Sequence, residues 1–256
     1  MLERLLERIS ISKYKHSFIL KGGMLIAAIV GIDTRTTMDL DVTIKGRTLV
    51  ETEITAIMNE ILNVTIDDCV VFNFKGIEKI REGVDYPGYR ISIEALLDKT
   101  RQMLKVDITT GDLVTPSEIE YNFRLMFEER LIPVMAYNLE TVLAEKFETI
   151  ITRGLTNIRM RDFYDIYILT TTQSFDREVF HRALKKTTMK RNTVEQMIHT
   201  EDVIQRVATS DIMIGLWQRY QKKYSYANDV SWDMMIDSLV MLGLRWQNNT
   251  LQRESK

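Results

Sequence analysis

The stretch Arg35-Thr-Thr-Met-Asp-Leu-Asp-Val-Thr-Ile-Lys45 places two aspartates inside what has the pattern of a buried strand. Its apolar residues alternate with Asp39, Asp41 and Thr43, which is the period expected of a strand with one face on a core. The same alternation points both carboxylates to one side, roughly 7 Å apart. Two like charges at that distance keep their normal ionisation only with water or a cation between them. A divalent metal is the obvious candidate, and a solvated face or pairing with Arg35 is the alternative.

The composition is that of a folded protein with one large domain or two smaller ones. Hydrophobic residues make up 45% of the 256 residues and charged residues 27%. The net charge of −2 means that any nucleic-acid contact must use a local patch. The single Cys69 favours a reducing compartment. Because the chain shows no signal-peptide pattern and no run of about 18 apolar residues, we expect a cytoplasmic protein without a membrane span.

Strands and helices alternate in the first half of the chain and helices dominate the second. Beside the two-aspartate strand, helices are predicted at 1–15, 24–30 and 48–62, and strands at 18–20, 70–74, 89–97 and 103–111. Helical periods then dominate from about residue 138 through Trp246. This pattern predicts an α/β (α+β) core with a mixed sheet at residues 1–132 and a helical domain at residues 133–256, with the boundary near Pro133.

A third aspartate lies in another strand-like segment, Lys105-Val-Asp-Ile-Thr109. Its apolar residues point one way and leave Asp107 on the opposite face. If the two strands are neighbours, three carboxylates meet, and this set suits one or two Mg²⁺ ions because hard cations prefer oxygen ligands. Gly22-Gly23 at a strand-to-helix turn is a weaker indication of phosphate binding, since most such pairs are only turns.

The helical half carries a lysine at an unusual position. By periodicity Lys146 lies near the middle of the apolar stripe of a helix that begins near Asn138. A lysine directed into a core is costly unless it snorkels out or meets an anion, so it either marks a domain seam or faces bound phosphates. On the next helix, Asp162 falls between apolar positions and is the favoured partner of Lys146. Asp165 lies further round, where a surface pair with Arg161 is expected.

Five motifs occur in a specific order: KGG at 21–23, RTTMDLD at 35–41, KVDIT at 105–109, LAEK at 143–146 and RMRDFYD at 159–165. In that order they resemble the AbiEii/AbiGii-type toxins. These are bacterial nucleotidyltransferases of the polymerase-β-like superfamily that act in toxin–antitoxin systems and in abortive infection, a phage defence. The resemblance implies a nucleotidyltransferase core followed by a helical domain. It also implies Mg²⁺-dependent transfer of a nucleoside monophosphate from an NTP to an acceptor.

The resemblance further implies roles for individual residues. Asp39, Asp41 and Asp107 would be the metal ligands. Lys146 would bind the phosphates from the helical side, and Asp162 or Asp165 would serve the acceptor, which completes the candidate catalytic set. The superfamily commonly has serine where this chain has Gly23, so that phosphate contact would come from the backbone, Lys21 or Thr37. The implied nucleotide-binding residues are Lys21, Gly22, Gly23, Arg35, Thr37 and Lys146.

The acceptor and the partners are also implied by the resemblance. Family members act on tRNA, and a neighbouring gene would encode a cognate antitoxin. The basic segment at 181–191 offers a helical face for RNA phosphates or is simply solvated; its candidate residues are Arg182, Lys185, Lys186 and Lys190. Two alternatives stay open: transfer to a protein or a small molecule, and a non-catalytic nucleotide-binding module.

Overall fold

The computed structural model describes residues 1–31, 33–35, 37, 39–46, 50–80, 88–126 and 128–243. The chain forms two compact units. One comprises Met1–Ile32 and Thr36–Tyr137, and the other comprises Asp33–Arg35 and Asn138–Lys256. The predicted α+β core followed by a helical domain is therefore confirmed. The predicted strand residue Met38 and the helical pattern from residue 244 to Trp246 lie outside the described residues.

The first unit is built around one mixed sheet. Its described elements are α1 (Leu2–Ile11), β1 (Phe18–Lys21), α2 (Gly22–Val30), β2 (Leu40–Ile44), α3 (Glu51–Leu62), β3 (Val70–Lys79), β4 (Gly88–Leu97), β5 (Thr100–Thr110), β6 (Ile119–Arg124) and β7 (Leu131–Ala136). The strands lie in the order β3-β4-β5-β2-β1-β7-β6. Strand β2 runs antiparallel to β1 and parallel to β5, so the two-aspartate strand lies inside the sheet.

The alternation in β2 explains its central position. Leu40, Val42 and Ile44 are each at most 1% exposed and form part of the core. Asp41 projects to the opposite face, as the period of two requires. The aspartate is therefore held on a strand whose register is fixed by buried neighbours, because a one-residue slip would bring it into the core.

Strands β6 and β7 were not predicted from the sequence. Pro133 was interpreted as the start of the helical domain, whereas β7 continues through it and pairs in parallel with β1. The two units divide after Tyr137, later than the predicted boundary at 132/133. Proline cannot donate a ladder hydrogen bond and usually argues against an inner strand, which is why this segment was misassigned.

The second unit is helical in the part of it that the structure describes. Its helices are α4 (Leu139–Arg153), α5 (Met160–Thr172), α6 (Arg177–Arg191), α7 (Val194–Ile198), α8 (Thr200–Ala208), α9 (Asp211–Lys223) and α10 (Trp232–Gly243). The predicted N-cap of α4 is confirmed, because the Asn138 side chain accepts a hydrogen bond from the Thr141 N–H at 2.8 Å. Of the helices described in either unit, none combines the length and apolar character that a bilayer span requires.

Candidate active site

Charged residues occupy directly paired positions on four neighbouring strands. Lys21 on β1 pairs with Asp41 on β2, which in turn pairs with Asp107 on β5. Asp107 also pairs with Arg90 on β4. Paired positions on adjacent strands project to the same face of a sheet. These four residues, here called the charged row, place two carboxylates side by side between two cations.

Asp41 lies against the glycine turn at the start of α2. Gly22 has a φ of +64°, and a Cβ atom at this position would lie 2.1 Å from Oδ2 of Asp41. The backbone N–H of Gly23 donates a hydrogen bond to the same carboxylate. The turn therefore needs glycine for two reasons, since the backbone is left-handed and the space beside it is filled by Asp41.

The environment of Asp41 disfavours its negative charge. Burial raises the pKa of Asp41 above its ordinary value of 3.8, although the nearby Lys21 ammonium acts in the opposite direction. The carboxylates of Asp107 and Asp39 add to the upward shift. A cation bound at this position would relieve both the repulsion and the loss of hydration. The oxygen-only donors of Asp39, Asp41 and Asp107 thus fit a hard divalent ion such as Mg²⁺.

Asp107 is engaged by an arginine. Nε and Nη2 of Arg90 lie 2.8 Å from different oxygens of Asp107, which is the bidentate geometry of a strong ion pair. This pair raises the pKa of Arg90. Among the residues that the structure describes, no group of three or more His, Cys, Asp and Glu side chains is arranged to hold a metal ion. The structure thus makes Asp41 and Asp107 strand neighbours without assembling a complete ligand cluster.

Asp39 and Lys21, the other candidate side chains of the first unit, also contact neighbouring residues. Asp39 is exposed just before β2, and its N–H donates to the Thr37 hydroxyl at 3.3 Å. The Lys21 ammonium donates to the Thr109 hydroxyl at 2.7 Å and also binds Asp112. Since the Lys21 side chain is only 11% exposed, its charge is directed at neighbouring side chains, and it stabilises this end of the sheet.

A second set of charges lies in the helical unit, here called the four-charge cluster: Arg35, Lys146, Asp162 and Asp165. Nζ of Lys146 lies 2.7 Å from Asp162 and 2.8 Å from Asp165. Arg35 also binds Asp165, with Nε 3.0 Å from Oδ1 and Nη2 3.3 Å from Oδ2, the oxygen that Lys146 contacts. The inward direction predicted for Lys146 and its pairing with Asp162 are both present in the structure.

Asp165 is the buried centre of the four-charge cluster, with 0% exposure. Burial alone would raise the pKa of Asp165, but the charges of Lys146 and Arg35 outweigh this effect and hold the pKa below 3.8. Burial likewise disfavours the charge on Lys146, yet Asp165 and Asp162 raise its pKa above 10.5. The predicted surface pair between Asp165 and Arg161 is wrong, because Arg161 donates instead to the Tyr224 hydroxyl at 3.1 Å.

Residues 33–35 group with the helical unit, and two hydrogen-bonding contacts join them to α5. The Tyr164 hydroxyl donates to the Thr34 carbonyl at 2.7 Å, and Arg35 binds Asp165. Burial raises the pKa of Tyr164 to about 12, so this hydroxyl keeps its proton at neutral pH. Arg35, predicted to bind nucleotide, is only 2% exposed. It therefore connects the start of the two-aspartate motif to the RDFYD motif on α5.

The predicted RNA-binding face lies on α6. Arg182, Lys185 and Lys186 are exposed on it, whereas Lys190 is half-buried. The end of this helix is fixed by Arg191, which binds the buried carboxylate of Glu148 on α4. The three exposed basic side chains thus lie on a helix whose end is joined to α4 by an ion pair.

A family model for the nucleotidyl transferase AbiEii toxins of type IV toxin–antitoxin systems matches residues 4–238. The chain belongs to the AbiEii family. This membership confirms the predicted family and the predicted enzyme class, a nucleotidyltransferase of a toxin–antitoxin system. A comparison with curated proteins gave no match.

Solved structures support the fold of this AbiEii protein. A candidate nucleotidyltransferase from H. pylori aligns with a TM-score of 0.52 and 12% identity, over 98% of this chain and 93% of that one. JHP933 from Helicobacter pylori aligns with a TM-score of 0.51 and 12% identity, over 99% and 92% of the two chains. At such low sequence identity the structural similarity shows a common fold and does not assign a role to any residue.

Two features of the AbiEii site were missed by sequence analysis. Arg90 lies in a strand with a polar face, where an arginine is normally interpreted as solvated. The partnership of Arg35 and Asp165 joins positions 130 residues apart in sequence, beyond the reach of local periodicity. Only the apolar surroundings of Asp165 in the RDFYDIY segment indicated that an acidic residue there needed a partner.

The glycine turn gives a first testable prediction. Gly22→Ala is expected to lower the free energy of unfolding by about 2 kcal/mol or more, because the left-handed backbone costs about 1–2 kcal/mol and the new Cβ collides with Asp41. Urea unfolding of both proteins measures this difference. Gly76→Ala is the matched control, since nothing lies within 4 Å of a Cβ there. Equal stability of Gly22→Ala and the parent would contradict the close packing of turn and carboxylate.

Proposed function

We propose that this chain is a Mg²⁺-dependent nucleotidyltransferase that transfers a nucleoside monophosphate from an NTP to RNA, with tRNA as the first candidate acceptor. One observation carries most of the support: Asp41 and Asp107 are pairing partners on adjacent strands, and Gly22 lies against Asp41 at the start of α2. Carboxylates beside the N–H groups of a helix start can serve a hard cation and a phosphate at one place.

The residues of the first unit receive the following proposed roles. Asp39, Asp41 and Asp107 would hold the metal. Bound Mg²⁺ would neutralise the charge of the nucleotide phosphates and lower the pKa of the acceptor hydroxyl. The backbone N–H of Gly22 and the hydroxyl of Thr37 would bind phosphate oxygens. Gly23, whose N–H donates to Asp41, would hold that carboxylate beside the phosphates. Lys21 would act indirectly, by keeping β1 and the end of β5 in place around Asp41.

The residues of the helical unit would act on phosphates and on the acceptor. Lys146 stays protonated at any physiological pH, and the two aspartates account for two of the three N–H donors of its ammonium. We propose that Lys146 binds a nucleotide phosphate. Of the two aspartates, Asp162 is the better candidate to accept the proton of the acceptor, because its side chain is 16% exposed whereas that of Asp165 is fully buried. Arg35 and Asp165 would position Lys146.

Incubation with each labelled NTP, Mg²⁺ and total tRNA tests the proposal directly. We expect label in the RNA fraction with at least one NTP, and none when EDTA removes the metal. Label in the protein or in small molecules would support another acceptor and overturn the RNA assignment. Failure to turn over any NTP would favour the non-catalytic alternative.

The basic face of α6 gives a second prediction. Lys185→Gln combined with Lys186→Gln is expected to raise the KM for RNA severalfold with little change in kcat, because these residues bind phosphates without touching the reacting atoms. The slope of log KM against log salt should also become shallower, by about 0.7–0.9 for each lost phosphate contact. Lys222→Gln with Lys223→Gln on α9 is the control. An unchanged KM and salt slope would show that the face is merely solvated.

The toxin role carries expectations about the cell. We propose that the protein acts in the cytoplasm and that a cognate antitoxin encoded nearby prevents its activity. Expression of the parent chain alone should then arrest growth, whereas expression of Asp41→Asn should not. Growth arrest by both proteins would show that toxicity does not depend on nucleotide transfer.

A further inference from the structure

Arg90 lies at one end of the charged row and has no part in the proposed reaction. Its guanidinium donates to both oxygens of Asp107, at 2.8 Å each. A bidentate arginine occupies the syn lone pairs of both carboxylate oxygens. A metal ion that binds the carboxylate uses the same lone pairs. Its positive charge also repels any second cation nearby. Arg90 and a divalent metal therefore compete for Asp107.

The charge balance of the row explains why an arginine is present. Asp41 and Asp107 occupy paired positions, so two carboxylates lie side by side on one face of the sheet. Lys21 offsets the charge of Asp41 from one side, and Arg90 offsets that of Asp107 from the other. Without Arg90, the row would carry an uncompensated negative charge whenever no metal is bound. Such a pair of carboxylates is destabilising.

The exposure of Arg90 makes this contact reversible. Its side chain is 35% exposed and that of Asp107 is 22% exposed. A partly exposed guanidinium regains hydration when it leaves the carboxylate, so this pair costs less to open than a fully buried one. This differs from Arg35, whose side chain is 3% exposed against the fully buried Asp165. The Arg35–Asp165 pair is therefore fixed by burial, whereas the Arg90–Asp107 pair can open.

We propose that Arg90 is the internal counter-ion of Asp107 in the metal-free protein, and that a divalent cation takes the carboxylate from Arg90 when it binds. The inference rests on the proposed function, because it requires a cation at Asp41 and Asp107. Arg90 is then a positioning residue that sets the affinity of the site for metal. The apparent affinity for metal is the intrinsic affinity multiplied by the fraction of time that Arg90 leaves Asp107 free.

Binding of Mn²⁺ without nucleotide tests the inference independently of catalysis. Electron paramagnetic resonance follows free Mn²⁺ during titration of the parent, Arg90→Gln and Arg90→Lys. We expect Arg90→Gln to bind Mn²⁺ about five- to tenfold more tightly than the parent. Arg90→Lys should be intermediate, because a lysine keeps the charge but cannot bind both oxygens. Arg101→Gln is the matched control, because Arg101 on β5 binds the carboxylate of Glu94 on β4 of the same sheet. The affinity of this variant for Mn²⁺ should equal that of the parent.

The outcomes separate this inference from the proposed function. Equal or weaker Mn²⁺ binding by both Arg90 variants, with loss of binding in Asp41→Asn, would overturn the counter-ion role and leave the metal site standing. Absence of binding in every protein would overturn both. If Arg90→Gln does not fold, as judged by circular dichroism, the comparison between Arg90→Lys and the parent decides, and tighter binding by Arg90→Lys supports the inference.

Discussion

Asp41→Asn is expected to reduce the rate of nucleotide transfer by about 10²–10³-fold while the protein stays folded. The amide keeps the size of the side chain and an oxygen that can accept the Gly23 N–H, but it removes the charge that would hold the metal. The same change should not destabilise the protein in the absence of metal, because the half-buried carboxylate lies beside that of Asp107 and an amide does not repel it. Turnover of labelled NTP and thermal unfolding measure the two effects.

Metal-dependent stabilisation distinguishes a lost metal ligand from a lost fold. Mg²⁺ should raise the melting temperature of the parent but not that of Asp41→Asn, since a ligand stabilises only the state that binds it. Asp67→Asn, at an exposed position of the same unit, is the control and should behave like the parent. If Asp41→Asn turns over NTP at the rate of the parent, the metal assignment is wrong.

Asp165→Ala is expected to lower the free energy of unfolding by about 3–5 kcal/mol, because it leaves Arg35 and Lys146 without their shared buried partner. Urea unfolding gives the difference. Asp162→Ala is the matched control: it removes the other carboxylate on Lys146, but that side chain is 16% exposed, so the stability loss should be clearly smaller. Equal losses for the two variants would show that burial does not govern the energetics of this cluster.

A double variant tests whether uncompensated charge causes the loss of stability in Asp165→Ala. If uncompensated charge causes the loss, Arg35→Met in the Asp165→Ala background should recover part of the stability, because it removes one of the two cations that Asp165 had neutralised. A further loss in the double variant would indicate that the packing of Asp165, and not its charge, is decisive.

The stability contributed by Asp165 should depend on pH in acid. Its pKa in the folded protein lies below the ordinary 3.8, so the unfolded chain takes up the proton first as the pH falls. The contribution is therefore complete above pH 3.8 and is lost as the pH falls through the lowered folded value. The gap in stability between the parent and Asp165→Ala should narrow over that range.

The central part of the site could be predicted because it depends on local alternation. The period of two in the stretch around Asp39 and Asp41, and again around Asp107, placed each carboxylate on the polar face of a strand. The charged pairing of Lys146 and Asp162 followed from helical angles in the same way. In each case the direction of the side chain depends on the periodicity of a single strand or helix. Because the opposite face of that element packs on the core, the pattern allows only one orientation.

The features that were missed depend on contacts between distant segments. Helical angles placed Asp165 near Arg161 at the surface, whereas a cation far back in the sequence, Arg35, allows it to be buried. Arg90 could be recognised only once β4 and β5 were aligned in register. The strand at 131–136 was hidden by Pro133, whose effect on a sheet depends on which neighbours it has.

The discontinuous make-up of the helical unit has a consequence for how this protein can be divided. The stretch Asp33–Arg35 groups with the helices, although the sequence on either side of it groups with the sheet. A gene split after Tyr137 would therefore give a helical fragment without the guanidinium that neutralises Asp165. Because the helical unit would then lack residues 33–35, a single recombination event at that point would not transfer the whole unit from one protein to another.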